Sequence, residues 1–361
     1  MTRPSATILI LAIIMLAGFF LRFNELIGRL PFWTDMARDL FLTERIVHSI
    51  RYLDFKNLPI DCITADTYLN LNIRQAFFYP YLLTPIALIV NFNPYGIAMA
   101  TLLLNVISLP LIFSVGRNLF NNLTGIFAAL LLCISSLAVL HSRFAWNPNI
   151  AIFFTLVIVT SLIKISQGNR YYYLVYALSA GLFIQIHIIA IIFVFFSLFS
   201  LCLLPVPNRR IIVISLFLFL IPQIPLFIYL VTSPTLIYDS IKFIEATIGS
   251  SRGVVDLAFL ISYLYKEIAS PYMPNGNFFS IPLHQLAKLA TSVLFICIAS
   301  SFIYNLTKGR IKLRFYDSIL IGWLFSSLVI LFLSKSHLDL GGNHPILFFL
   351  SAILLYLSRL I

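Results

Sequence analysis

Residues 6–23 are ATILILAIIMLAGFFLRF, an apolar run long enough to form a helix that crosses a bilayer. Several later runs are shorter than the roughly 20 residues of a crossing, so their helices should extend into flanking residues. We predict an all-α, polytopic membrane protein of about ten transmembrane helices. The later runs are 96–116, 124–141, 150–163, 171–186, 188–204, 211–232, 285–305, 317–334 and 345–358.

The composition excludes a soluble protein. Of the 361 residues, 60% are hydrophobic and 10% are charged, and the mean hydropathy is +0.99. Soluble proteins carry about 25% charged residues, so these charges are too few to cover a surface in water. Solid Leu, Ile and Phe runs also exclude a β-barrel, whose strands alternate apolar and polar residues. In such a chain the net charge of +11 bears on topology, and we expect no nucleic-acid partner.

The basic residues predict the topology. Short loops on one side hold eleven of them against one acid, Asp317. The positive-inside rule makes that side cytoplasmic, together with both termini of an inner-membrane protein. One membrane domain then spans 1–361, and the long segments 24–95 and 233–284 are extracytoplasmic loops, the first with juxtamembrane helices. The eleven are Arg3, Arg117, Lys164, Arg170, Arg209, Arg210, Lys308, Arg310, Lys312, Arg314 and Arg359.

Residues 79–90 resemble a transmembrane helix, and the N-terminal run resembles a signal peptide, but we predict neither. Residues 79–90 are short for a crossing and contain Pro80 and Pro85, and counting them would invert every later basic loop, so we predict an interfacial helix. The N-terminal run resembles a signal peptide. No convincing small-residue cleavage site follows it, so we expect a retained first helix.

The cysteines and the missing motifs restrict the chemistry. Cys133, Cys202 and Cys297 fall in predicted spans, which leaves Cys62 alone outside them and no disulfide framework. The sequence has no Gly-rich phosphate loop and no HExxH motif, and the cytoplasmic loops are too short to build a nucleotide-binding domain. We therefore expect the activated substrate to arrive through the lipid.

The densest polar cluster, PFWTDMARD at 31–39, follows the first apolar run. Asp35 lies there at the membrane surface beside aromatic residues and Arg38, a setting that can tune a carboxylate as a general base. The alternative is structural, because Asp commonly caps a helix, and the apolar pattern predicts one starting near Met36. On spacing alone the cap is the more frequent outcome. Asp39, one helical turn later, can pair with Arg38 or Thr43.

A second polar cluster, HSRFAWNPN at 141–149, follows the third apolar run on the same predicted face. Arg143 and the amides of Asn147 and Asn149 could bind substrate. Each also has a structural interpretation, since Arg143 can extend to the interface, Trp146 can anchor there, and the two amides flank a proline as turn formers do.

Gln185 and His187 end another apolar run on that face. An ionisable residue flanked by membrane-spanning sequence is by default a functional-site hypothesis. For His187 a structural hydrogen bond is about as frequent as a ligand contact.

These motifs resemble, in order, those of bacterial relatives of the protein O-mannosyltransferases and of the lipid A aminoarabinose transferases. Both belong to the GT-C superfamily, integral-membrane glycosyltransferases that take sugar from a polyprenyl-phosphate carrier. The resemblance covers about the first 205 residues. The motifs are Asp35-x-x-Arg38-Asp39, FFYPYLLTP at 77–85, GRNLF at 116–120, Ser142-Arg143 with Trp146-Asn147-Pro148-Asn149, and Gln185-x-His187.

The resemblance implies roles for these residues. The acid matching Asp35 is the catalytic base, Arg38 matches a position that holds the donor phosphate, and Arg74 lies near a lysine with the same task in relatives. Asp39 and the later motif residues become substrate-binding candidates. Many relatives carry a second acid in the loop after helix three, where this chain has two asparagines, so a role for an acid or a metal there is in doubt.

The expected reaction transfers a hexose or pentose from polyprenyl phosphate to a hydroxyl of a glycan, lipid or protein, with inversion. The transition state needs a base on the acceptor and cations on the departing phosphate. The phosphate leaves as a stable anion, so no cofactor is required and a divalent metal is optional. A flippase is disfavoured, because the acids keep to the loops and no internal repeat is evident. A polymerase of lipid-linked glycans would share the same face and carrier and is harder to separate from a transferase.

The predicted topology can be tested by thiol labelling in intact cells. Cysteines placed at Asn121 and Lys308 should resist a membrane-impermeant reagent, whereas one at Asn275 should react. Reaction at Lys308 with protection at Asn275 would overturn the arrangement.

Overall fold

A computed structural model describes residues 4–24, 26, 34–54, 63–66, 71–74, 79–187, 190–224 and 227, together with 319, 322, 323, 326, 351, 352, 355 and 358. The predicted loop at 233–284 and the predicted helix at 285–305 lie outside the described residues. The stretches 317–334 and 345–358 are described only at those last eight positions, each of which is helical.

Helices dominate the described residues, as predicted. Leu, Ile, Ala and Phe fill most of them, and each such helix bonds its own backbone, as a bilayer requires. Their bounds are α1 Pro4–Phe23, α2 Thr34–Arg51, α3 Tyr79–Ile89, α4 Pro94–Leu119, α5 Asn122–Ile134, α6 Ser136–His141, α7 Ala151–Ser166, α8 Tyr172–Ile186, α9 Ala190–Cys202 and α10 Arg209–Leu220. Two 3₁₀ turns, Asn147–Ile150 and Ile221–Gln223, precede α7 and follow α10.

A small hairpin lies between α2 and α3. Strand β1 (Ile63–Asp66) pairs antiparallel with β2 (Leu71–Arg74), with Ile63 opposite Arg74. The sequence analysis did not predict it, because two strands of four residues carry too little alternating pattern to detect. The all-α class is otherwise confirmed.

Three described helices are long and apolar enough to cross a membrane: Ala6–Phe23, Pro94–Leu119 and Asn147–Ser166. The shorter apolar helices are α3, α5, α8 and α9. Large apolar side chains such as Ile8 and Phe195 are exposed, which suits a surface in contact with lipid. The protein is therefore a membrane protein, and its ten crossings stay a prediction.

Two predicted runs differ from the helices observed. The run 124–141 contains two helices, because the chain leaves helical geometry at Ser135, whose side chain then caps α6 by accepting from the Ala138 amide. The run 211–232 is interrupted after Leu220, where α10 gives way to a 3₁₀ turn that contains a proline. The predicted helix at 79–90 is confirmed as α3, which continues through its internal proline.

Close backbone contact joins α4 to α5. A Cβ on Gly125 would lie 2.6 Å from the Phe113 carbonyl oxygen, and one on Gly116 would lie 2.9 Å from the Gly125 Cα. Only glycine fits at such an approach. The same kind of contact joins α8 to α10, where a Cβ on Gly181 would lie 2.6 Å from the Phe219 carbonyl oxygen.

Substitution at the α4–α5 contact should destabilise the protein. Gly125→Val places its Cβ against the Phe113 backbone, which cannot move without separating the helices, and overpacking of this kind costs about 1–3 kcal/mol. Leu130→Val is the control for β-branching, because Leu130 lies on the same helix and its side chain is exposed. Thermal unfolding in detergent should show a lower midpoint for Gly125→Val than for Leu130→Val, and equal midpoints would refute the contact.

Candidate active site

Helix α2 carries the first candidate residues. It begins at Thr34, two residues before the expected start near Met36, so Asp35 is its second residue. The choice between a general base and a helix cap at Asp35 stays a prediction. Asp35 and Asp39 are four residues apart on the helix and so share a face, with Arg38 beside them. The side chain of Asp35 lies outside the described atoms.

Arg38 and Asp39 form a tight ion pair. The Arg38 Nε and Nη2 both donate to Asp39 Oδ1, at 2.9 and 2.8 Å. The Asp39 side chain is 3% exposed and that of Arg38 is 25% exposed. The carboxylate therefore lies inside the protein and holds the guanidinium at its surface, and the predicted Arg38–Asp39 pairing is confirmed.

Asp39 is buried because α2 packs on α3. The Thr43 hydroxyl lies 2.6 Å from the Asp39 carbonyl oxygen and 3.3 Å from that of Pro80, and so connects the two helices. Burial raises the pKa of the Tyr79 phenol, and the nearby Asp39 carboxylate raises it further. This phenol therefore stays neutral beside the ion pair.

The second cluster forms a rigid loop between α6 and α7. Asn149 is fully buried, its Oδ1 lies 2.8 Å from His141 Nδ1, and its Nδ2 donates to the Phe144 carbonyl at 2.9 Å. Asn105 of α4 donates to the Asn149 carbonyl at 3.0 Å. Trp146 stacks on His141 with ring centroids 6.3 Å apart.

This loop is attached to the end of α8. The Asn147 Nδ2 donates to the Ile186 carbonyl at 2.9 Å, directly before His187. His187 ends α8 in an extended conformation and is 7% exposed. Gln185, also buried, donates to the side-chain oxygen of Gln223, which lies in the 3₁₀ turn after α10. The structure thus brings Asn147 and the Gln185–His187 segment together.

The remaining cationic candidates are Arg143 and Arg74. The Arg143 Nη2 donates to the Leu21 carbonyl at the end of α1, at 2.8 Å. Arg74 is the last residue of β2, and its side chain lies outside the described atoms. The described contacts thus hold Arg143 against α1 and Arg38 against Asp39. The phosphate-binding roles of Arg38 and Arg74 and the substrate-binding role of Arg143 stay predictions.

Several polar residues of this region were missed by the sequence analysis. Arg22, Asn105 and Gln223 are all buried, at 0%, 2% and 7% exposure. Each interrupts an apolar run, and that interruption was the available signal. Their partners lie on other helices and could not be read from spacing. In the part of the chain that is described, no three His, Cys, Asp or Glu side chains lie close enough to share a metal ion.

Residues 74–238, a little under half of the chain, match the family model described as dolichyl-phosphate-mannose-protein mannosyltransferase. The match includes Arg74 and the clusters at 141–149 and 185–187, and it leaves Asp35 outside. It thus agrees with the later motifs of the resemblance. A search of curated protein sequences found no match.

Solved structures of the Archaeoglobus fulgidus oligosaccharyltransferase share the fold. The form tethered to an acceptor peptide matches with a TM-score of 0.55 at 16% identity, over 99% of this chain and 49% of that one. The form with an inhibitory peptide and a dolichol-phosphate, named AglB, matches with a TM-score of 0.57 at 14% identity, over 98% and 49%. The chain thus spans about half the length of these proteins.

The buried amide at Asn149 should not tolerate a carboxylate. Asn149→Asp replaces the Nδ2 donor by an oxygen facing the Phe144 carbonyl and buries a charge, so we expect a loss of several kcal/mol in stability. Asn169→Asp is the control, because Asn169 is exposed and its side-chain oxygen accepts from the Tyr171 amide, a bond that a carboxylate can also make.

The loss should shrink at low pH. Burial favours the neutral acid and so raises the pKa of the introduced carboxyl above its unfolded value, which makes the penalty grow as pH rises above that value. Thermal midpoints at pH 5 and pH 8 measure this, and a pH-independent midpoint close to that of Asn169→Asp would contradict the burial of this side chain.

Proposed function

We propose that this chain is an integral-membrane glycosyltransferase of the GT-C type and that it transfers a sugar from a polyprenyl-phosphate carrier to an acceptor hydroxyl on the extracytoplasmic face. The observation that supports this most is the placement of Asp35, Arg38 and Asp39 on one face of α2, directly after the first membrane helix. This spacing supports a base at Asp35 and a cation for the phosphate at Arg38, one helical turn apart.

The class of donor is suggested by the relatives. The matching family model names dolichyl-phosphate-mannose, and the Archaeoglobus structure holds a dolichol-phosphate. We propose the same donor class here, a polyprenyl-phosphate-linked hexose or pentose, without assigning mannose. Because the chain spans about half of the enzyme of known structure, the proposed acceptor is kept at its class, a glycan, a lipid or a protein.

The proposed reaction is one displacement. Asp35 takes the proton of the acceptor hydroxyl as its oxygen attacks the anomeric carbon, and the bond from that carbon to the phosphate oxygen breaks. The polyprenyl phosphate departs as an anion with the bonding pair. A single displacement inverts the anomeric carbon.

Arg38 is the best placed of the phosphate ligands. Its side chain is partly exposed and fixed by two bonds to Asp39, so it offers an oriented guanidinium without further ordering. Arg74 and Arg143 are proposed as additional cations. Asp39 itself is buried, and we assign it the positioning of Arg38 in place of direct substrate binding.

The side-chain amides of these clusters bond to other parts of the protein. Asn147, Asn149 and Gln185 use their side-chain donors on partners within the protein, so they shape the wall of the site. Trp146, which is partly exposed, and His187, at the end of α8, are the proposed contacts to the sugar or carrier from these two clusters.

A general base at Asp35 makes a sharp prediction. Asp35→Asn keeps the volume and most hydrogen bonds but takes up no proton, so turnover should fall about 10²–10⁴-fold while the protein folds and binds donor. Asp39→Asn is the matched comparison, because it weakens the hold on Arg38 and should lose less turnover. Transfer of radiolabel from a polyprenyl-phosphate sugar measures both.

Near-normal turnover in well-folded Asp35→Asn protein would exclude the base. Movement of an intact lipid-linked sugar across the bilayer, without release of polyprenyl phosphate, would instead support the flippase. Growth of a glycan on a lipid carrier would support the polymerase.

A further inference from the structure

Arg22 is a buried cation at the end of the first membrane helix. It lies in the last turn of α1 and is 0% exposed. Its Nη1 donates to the carbonyls of Gly18 and Cys133, both at 3.1 Å, and its Nη2 donates to the Leu132 carbonyl at 3.1 Å. One guanidinium therefore joins α1 to α5.

The two α5 carbonyls that accept from Arg22 belong to the last turn of that helix. The last four carbonyls of a helix have no partner within it, and α5 ends at Ile134, so Leu132 and Cys133 belong to this set. A cation at a helix C-terminus also interacts favourably with the helix dipole. Arg22 thus stabilises the break at Ser135 that separates α5 from α6.

Gly18 makes room for this arrangement. A Cβ at that position would lie 3.4 Å from Arg22 Nη1, 3.4 Å from Cys133 Sγ and 2.6 Å from Leu109 Cδ1. The guanidinium therefore occupies space that the missing side chain of Gly18, one turn earlier on α1, leaves available.

A second arginine bonds the same end of α1. Arg143, in the loop after α6, donates to the Leu21 carbonyl in the last turn of α1. The end of α1 therefore makes two sets of hydrogen bonds. Arg22 of α1 donates to carbonyls of α5, and the Leu21 carbonyl of α1 accepts from Arg143. The chain then continues through residues 24–33 to α2, which carries Asp35 and Arg38.

We infer that Arg22 is a positioning residue, which fixes the α1 terminus against the α5–α6 break and so sets the place of the segment that carries Asp35. The inference rests on the proposed function for its effect on turnover, and on the contacts above for its effect on structure. Burying a guanidinium costs free energy, and a protein with an apolar side chain of similar volume in its place is often as stable. The arginine therefore fixes how α1 and α5 are placed, more than it adds to stability.

The test uses Arg22→Met and Arg22→Lys in the full chain, with Arg170→Met as control. Arg170 is exposed and lies over the Tyr171 ring, away from α1. Spin labels at Tyr52, after α2, and Leu123, on α5, report the placement of α2 in a background without the four native cysteines. Both labelled positions are exposed, at 65% and 55%.

Arg22→Met should broaden the distance distribution and lower kcat on the order of 10–100-fold, while the KM for donor changes less than about threefold, because misplacement of a base slows chemistry without removing donor contacts. Arg22→Lys should be intermediate, since it lacks the planar fork. Arg170→Met should match the wild type in both measurements.

An unchanged distance distribution in folded Arg22→Met protein, or a raised donor KM with normal kcat, would overturn the inference. If Arg22→Met does not fold, wild-type distances and turnover in Arg22→Lys would overturn it equally. If the wild-type protein transfers no sugar, the proposed function fails, and the distance distributions alone still decide whether Arg22 positions α2.

Discussion

Polar groups within a bilayer find no water, so every helix break and every buried polar side chain must bond inside the protein. The α5–α6 break shows how this is met, because Ser135 caps the following helix and Arg22 bonds the carbonyls of the preceding one. The loop before α7 follows the same rule through Asn149, whose side chain has partners at both ends. These bonds join α1 to α5, and a further bond from Asn105 joins α4 to the loop before α7.

The sequence predicted the helices well because their signal is local. Apolar runs determine where a helix can exist in lipid, and α1, α4 and α8 lie within a few residues of their predicted bounds. The break at Ser135 was missed, because the two serines at 135 and 136 are compatible with a continuous helix in an apolar run. The β1–β2 hairpin was too short to leave a pattern.

For the candidate site, the sequence identified candidate residues, but it did not identify most of the contacts between them. The predicted topology put the clusters at 141–149 and 185–187 on one face, and the structure adds the contact between Asn147 and the end of α8. The bonds of Arg22 to α5 join residues 110 and 111 positions apart, and the bond of Asn105 to Asn149 joins residues 44 apart. Such pairs depend on how helices pack, which spacing along one chain does not specify.

Asp39 is a buried carboxylate on α2, and its ion pair organises the proposed chemistry. It lies where α2 packs on α3 and accepts two hydrogen bonds from Arg38, so it orients the guanidinium. Asp35, one turn earlier on the helix, is the proposed base. A displacement at the anomeric carbon requires a base for the acceptor hydroxyl and a cation for the departing phosphate, and these are the roles we propose for Asp35 and Arg38.

The central claim is most directly tested by incubating the purified protein in liposomes with radiolabelled polyprenyl-phosphate sugars and a membrane extract as acceptor. The account predicts that one sugar leaves its carrier, that polyprenyl phosphate is released in equal amount, and that the product has the opposite anomeric configuration. Release with retained configuration, or no release from any carrier, would contradict it.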